Sequence, residues 1–339
     1  MKNLFLLSVS VLLSANLCVN AQRKEPYLTR TFPASSIRSV EATTSGGSIK
    51  VTGDAGSEAV VELFVSRDKW SDERIKQALE ENYTIDIKVE GGKLYALAKP
   101  KSNFSWNLQG LNVSFTISVP KQVNNDLHTS GGSIRIADLS GSQDFKTSGG
   151  SLTVENVSGN IVGKTSGGSI TISRSNDKID LKTSGGSITA SDCSGEINLK
   201  TSGGSVRMSH LDGNIDASTS GGSITANDVN GILKTGTSGG SVTLKDIYGS
   251  VDARTSGGSM TVEMQSVDDY VKLSNSGSVH LSLPANNGYN LKVKANKIET
   301  SGLKDYRGNV ESRSMEGTVG NGGAKIDINT SQRASLSFK

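Results

Sequence analysis

The string Thr-Ser-Gly-Gly-Ser begins at Thr129, Thr147, Thr165, Thr183, Thr201, Thr219, Thr237 and Thr255, eight copies spaced 18 residues apart with no insertion. A period this strict means that each unit buries its apolar face against the next copy of itself. A degenerate copy at 274–278 follows one residue out of phase, and an isolated copy at 44–48 lies 85 residues before the series, which is not a multiple of 18. The array is therefore expected over about 129–280.

With the leading Thr as position 0, apolar residues recur at fixed places. Positions 5 and 7 hold pairs such as Ile170/Ile172, Ile188/Ala190 and Val206/Met208. Positions 14 and 16 hold Ile179/Leu181, Ile197/Leu199 and Ile215/Ala217. Both pairs alternate with polar residues, the two-residue period of a half-buried strand. Gly-Gly separates the strands on one side and an Asx-x-x-Gly turn, as at 192–195, on the other; glycine is expected to supply positive φ at both corners. The fold class expected is all-β: a parallel β-solenoid with two short strands per 18-residue coil, flattened into two sheets. At ~4.8 Å per coil, eight coils make a rod roughly 40 Å long. Hydrophobic residues make up 34% and aromatics 5% of the chain, which requires a thin core of small aliphatics. Position 10 is inward and holds Leu139, Val157, Leu211 and, in one coil, Cys193, which reads as a small buried hydrophobe.

Open solenoid ends expose unpaired backbone, so both ends need caps. Residues 22–128 lack the period, contain Trp70 and Trp106, and form the expected β-rich N-terminal cap region with one helix over 71–82, N-capped by Ser71. Residues 281–339 are the expected C-terminal β cap. Residues 1–21 read as a signal peptide: a Lys2 start, an apolar run over 4–13, and small residues before cleavage at Gln22. Lipidation of Cys18 would need a small residue before it, where Leu17 stands. After signal removal no apolar run is long enough for a transmembrane helix, so the expected location is exported: periplasm, outer-membrane-associated or extracellular.

The net charge of +3 has no strong local excess, with 14 basic and 13 acidic residues over 22–128, 12 and 15 over 129–273, and 9 and 5 over 274–339, which argues against nucleic acid as a partner. Position 17 gives a stacked column, Lys146, Lys164, Lys182 and Lys200, with Asp144, Asp180 and Asp216 beside it. Position 6 gives a column of hydroxyls that includes Thr171 and Thr189. These six residues are the candidate interaction surface. Position 9 carries Asp138, Asn156, Asp192, Asp228 and Asp246, interrupted by Arg174 and His210, a pattern of Asx turns with one acid per coil and no calcium-ligand spacing. His128, His210 and His280 fall far apart in repeat phase, and no catalytic, cofactor or metal motif is present.

The signal segment, the irregular β-rich start, the Val119-Pro120 step and the reiterated Thr-Ser-Gly-Gly-Ser-Ile units together resemble the putative-adhesin β-strand repeat family of bacterial envelope proteins, a domain of unknown function. The resemblance implies a parallel β-solenoid in the cell envelope and supplies no catalytic residues. The function expected is that of an exported, non-enzymatic structural or interaction protein of the envelope, adhesin-like, with an envelope protein, a glycan or a second copy of itself as partner. Two alternatives stand beside it: an envelope sensing or stress accessory that binds through 22–128, and a polysaccharide-active enzyme.

Overall fold

The computed structural model describes residues 25–54, 56–101, 111–285 and 287–339. The signal segment, Cys18, the cleavage site before Gln22 and Trp106 lie outside the described residues. The described chain is all-β with one α-helix.

In the body, strands Ile188–Thr201, Val206–Thr219, Ile224–Thr237 and Val242–Thr255 each pair in parallel with the next. The register sets Ile188 on Val206, Ile224 and Val242, and Ile197 on Ile215, Leu233 and Val251, so like positions stack on like. In the coil that starts at Thr183, the side chains of Ile188, Ala190, Cys193, Ile197 and Leu199 are all buried, at the inward positions the periodicity predicts. Thr183 is buried as well. Its hydroxyl donates to the Gly168 carbonyl of the preceding coil at 2.8 Å and accepts from the Gly186 N–H at 3.3 Å. The same pair of bonds recurs at Thr147, Thr165, Thr201, Thr219 and Thr237, so each repeat is tied to its neighbour by one buried hydroxyl.

Two expectations about the corners need correction. The two short strands per coil are a single strand of 14 residues in most repeats. The reason is that the turn at position 9 is one residue in the left-handed region, such as Asp192 at φ 55° or Asp228 at φ 56°, which the ladder skips before resuming in the same register at position 10. Only the Thr165 repeat splits, into Ile170–Ser173 and Asn176–Thr183. There Ser175 replaces the apolar residue and Asp177 the glycine, and their side chains take N–H groups of the neighbouring coil: Ser175 Oγ accepts from Val157 at 3.2 Å and Asp177 Oδ2 from Gly159 at 2.9 Å. Positive φ is found at the second corner, as at Gly195 (φ 108°), but Gly-Gly is needed for another reason. A Cβ on Gly186 would sit 2.1 Å from the Gly168 carbonyl oxygen, whereas one on Gly185 would sit no closer than 3.5 Å to anything.

At the N-terminal end the 44–48 copy joins the stack despite its odd spacing. Thr44 pairs with Thr129 and Ile49 with Ile134, because the chain leaves the stack after the strand Ile49–Asp54 and returns at Asn124–Thr129. The strands in between do not follow in order. Lys93–Pro100 and Asn112–Pro120 pair on the far side of the 44–48 coil, Ala96 on Ala42 and Phe115 on Ile49. Glu58–Ser66, Leu28–Pro33 and Tyr83–Glu90 then add antiparallel strands at the outside. The helix Asp72–Asn82 forms where expected: Ser71 Oγ accepts from the Arg74 N–H at 3.4 Å, and Ile75, Ala78 and Leu79 are buried. The C-terminal end repeats the device. Ala324–Thr330 and Arg333–Phe338, last in the chain, slot between the 260–283 strands and the earlier strands Tyr289–Lys294 and Lys297–Ser301. The antiparallel strands Ser314–Val319 and Tyr306–Val310 finish that end. One hydrophobic cluster runs from Ile37 to Phe338.

Candidate functional site

The parallel register brings the four lysines together, Lys146 beside Lys164, Lys164 beside Lys182, and Lys182 beside Lys200. It also sets Thr171 beside Thr189, with Thr153 on one side and Arg207 on the other. The lysine ladder and the threonine ladder lie on different stretches of the coil and no pairing joins them, so the six residues make two surfaces and not one site.

The lysine ladder is partly neutralised. Lys182 Nζ donates to Asp180 Oδ2 at 2.9 Å and Lys200 lies 4.0 Å from Asp216. Lys146 and Lys164 have no ion pair among the described residues. These side chains are more than two-fifths exposed at Lys182 and Lys200, so each pair contributes at most about 1 kcal/mol. The adjacent ladder at position 15 alternates in sign toward the C-terminus, Asp216, Lys234, Asp252, Lys272, Asp327, Lys292 and Glu316. Sequence reasoning read only the acidic members of this column and missed the alternation, which past Lys272 cannot be followed along the chain because Asp327 is interposed out of order. The result is a polar, charge-balanced sheet with a small cationic excess at Lys146 and Lys164.

On the threonine side, the serines at position 4 are already engaged. Ser187 N–H donates to Ser169 Oγ at 3.3 Å and Ser205 N–H to Ser187 Oγ at 3.1 Å, leaving the threonine hydroxyls as the free groups of that face. The Asx column at position 9 owes its residue type to backbone conformation: Asp138, Asn156, Asp192, Asp228 and Asp246 all have φ between 53° and 58°, which Asp and Asn tolerate best after glycine. Arg174 and His210 adopt the same conformation at φ 50° and 51°. Arg174 and Arg135 share the carboxylate of Glu155, and His210 stands between Asp192 (3.4 Å) and Asp228 (3.8 Å). Among the described residues no cluster of three or more His, Cys, Asp and Glu side chains could hold a metal ion. Cys193 is buried, its Sγ donates to the Ser191 carbonyl at 3.1 Å, and burial pushes its thiol pKa up. On the lysine-bearing side, Glu196, Asn198, Asn214, Asp216, Ile232 and Lys234 help to line an open depression of about 500 Å³ beside Lys200.

Residues 175–332 match the family model described as Toastrack DUF4097. No curated protein matches the chain. Among solved structures the chain is similar to a "putative adhesin" from Bacteroides fragilis, at 17% identity over 75% of this chain and 95% of that one with a TM-score of 0.34. It is also similar to a "putative cell adhesion protein" from Clostridium sporogenes, at 9% identity over 93% and 100% with a TM-score of 0.20. A "putative lipid binding protein" from Parabacteroides distasonis aligns at 14% identity over 94% and 98% with a TM-score of 0.31. At such TM-scores these three likenesses carry no argument about what the chain binds. The match to Toastrack DUF4097, a domain of unknown function, covers just under half of the chain.

Proposed function

We propose that this protein is an exported, non-enzymatic interaction protein of the bacterial cell envelope, adhesin-like, whose parallel β-solenoid body presents a regular polar surface to an envelope protein or a glycan. The observation that carries the reading is the unbroken register of like on like from Thr44 through Thr129 to Thr255. It places four lysines, Lys146 to Lys200, and three threonines, Thr153 to Thr189, at steps of ~4.8 Å along two ladders. Such spacing converts individually weak contacts into avidity. Lys146, Lys164, Lys182 and Lys200 form one contact ladder in this reading, and Thr171 and Thr189 belong to the other. A strict 18-residue period leaves no inserted loop over 129–255 from which a catalytic cleft could be built. No helix among the described residues is long and apolar enough to cross a membrane.

The test is binding of the purified protein to an array of bacterial and host glycans and envelope proteins, compared with a variant that lacks the two whole repeats 183–218. Saturable binding that weakens as repeats are removed supports the surface reading. Binding that is indifferent to the number of repeats contradicts it.

A further inference from the structure

On the lysine-bearing side the column at position 13 departs once from its polar pattern. Position 13 is polar in Ser142, Asn160, Lys178, Glu196, Asn214 and Ser250, but Ile232 occupies it in the Thr219 coil and is 39% exposed. In the same coil Lys234 stands where Asp216 and Asp252 flank it, and Gly236 takes the position that holds Lys200 and Arg254 elsewhere. Nothing in the stack demands that glycine. Its φ is not positive, and a Cβ there would meet only the Arg254 carbonyl oxygen, at 3.8 Å. Ser218 and Gly236 thus form a low floor along the ladder Lys200, Ser218, Gly236, Arg254, which spans three coil steps or about 14 Å. Beside that floor lies the depression of about 500 Å³ walled by Asn198, Asn214, Ile232 and Lys234. Its volume falls within the ordinary range of small-ligand sites.

The chemistry of the notch selects its occupant. Lys200, Lys234, Glu196 and Asp216 line the depression, two cations against two anions, and the next coil adds Arg254 paired with Asp252. Arg254 is held by Asp252 through two hydrogen bonds, at 3.1 and 3.0 Å, so a polyanion gains no net attraction here. The cationic excess at Lys146 and Lys164 lies coils away. Asn198 donates to Asp180 at 2.8 Å, and its buried Oδ1 has no partner among the described residues. Amide and carboxylate oxygens that accept, ammonium groups that donate, and one exposed aliphatic side chain suit the hydroxyls, acetamido groups and C–H faces of sugar rings.

We propose that the notch at Ile232 and Gly236 binds a neutral oligosaccharide that bears hydroxyl and acetamido groups. This inference rests on the reading of the body as an interaction surface and names the class of partner. The test is calorimetric titration of the purified protein with an N-acetylglucosamine tetrasaccharide and, in parallel, with heparin, each at low and high salt. Ile232→Ser installs the residue that Ser142 and Ser250 already supply on the same ladder, Gly236→Gln fills the floor, and Lys164→Ala alters the column outside the notch. Thermal melts verify that each variant folds. The tetrasaccharide is expected to bind saturably and independently of salt and to lose roughly tenfold or more in affinity with either notch change. Equal binding to Ile232→Ser and Gly236→Gln overturns the site. So does salt-sensitive binding of heparin alone that Lys164→Ala abolishes, which would leave the surface reading standing on the lysine ladder. Binding of neither probe also removes the notch, and the array with its repeat-deletion variant then decides the surface reading separately.

Discussion

The body and the two ends bury apolar residues in one continuous cluster, yet they are assembled by different logics. In the body, order along the chain equals order in space, and Ile188 lies on Val206 because they are one period apart. At the ends that equality fails. The coil 39–54 lies between strands 93–120 and strands 124–146, and the last strands, Ala324–Thr330 and Arg333–Phe338, lie between segments that precede them. The consequence is physical. The strand Arg333–Phe338 is paired on both sides and presents no open edge. The outermost strands come from interior sequence or are blunted: Leu28–Pro33 ends in proline, Lys88 on Tyr83–Glu90 pairs with Asp86 and Glu90, and Lys297 pairs with Glu299 on Lys297–Ser301. Proline and charged side chains on an edge strand discourage the addition of further strands.

This contrast can be broken at its strongest point by deleting 331–339. Loss of the interposed strand exposes the edges of Val279–Leu283 and Lys297–Ser301 and removes buried Ala334, Leu336 and Phe338. At about 2–5 kcal/mol for each large buried side chain, the C-terminal end should unfold and the protein aggregate, seen as loss of the monomer peak in size-exclusion chromatography. Ile188→Asp places an unpaired carboxylate in the body core and should cost about 4 kcal/mol or more, with neighbouring coils lost together. An unchanged melting curve would contradict the inward assignment. Gly186→Ala should cost about 1–3 kcal/mol by forcing the Gly168 carbonyl aside, while Gly185→Ala one residue away should be nearly silent in the same denaturant titration. Smallest of all, Lys182→Ala should change stability by less than about 1 kcal/mol, since its pair with Asp180 is exposed.

These same particulars show how much the sequence makes legible. The inward ladder through Ile188, Ala190, Cys193, Ile197 and Leu199 is readable because the two-residue alternation and the 18-residue period coincide there. The helix Asp72–Asn82 is readable because Ser71 and the apolar face of Ile75, Ala78 and Leu79 are local signals. The buried role of Thr183 is not, because a threonine beside Ser-Gly-Gly looks like turn residue and its burial depends on a carbonyl in the preceding coil. Interposition of Arg333–Phe338 is likewise invisible, since parallel pairing between distant segments leaves no periodic trace. Gln143 and Asn125 mark the same limit: both fall in the ladder that isoleucines fill elsewhere, and the Asn125 amide donates to Gln143, whose own amide donates to the Val123 carbonyl at 2.8 Å. Of the candidate site, the two ladders are legible from the repeat, while the depression beside Ile232 depends on how side chains of three successive coils pack, Asn198, Asn214 and Ile232 among them.

The central claim, that the body is a stack in which only whole coils are interchangeable, is tested most directly by two deletions compared in thermal unfolding. Removing 183–200 takes out one period of 18 residues and joins Lys182 to Thr201, so every position still stacks on its like. Removing 183–191 takes out nine residues and sets position 0 of the remaining chain against position 9. The account predicts a cooperative transition close to that of the intact protein for the first and loss of the folded state for the second. Equal behaviour of the two deletions would contradict it.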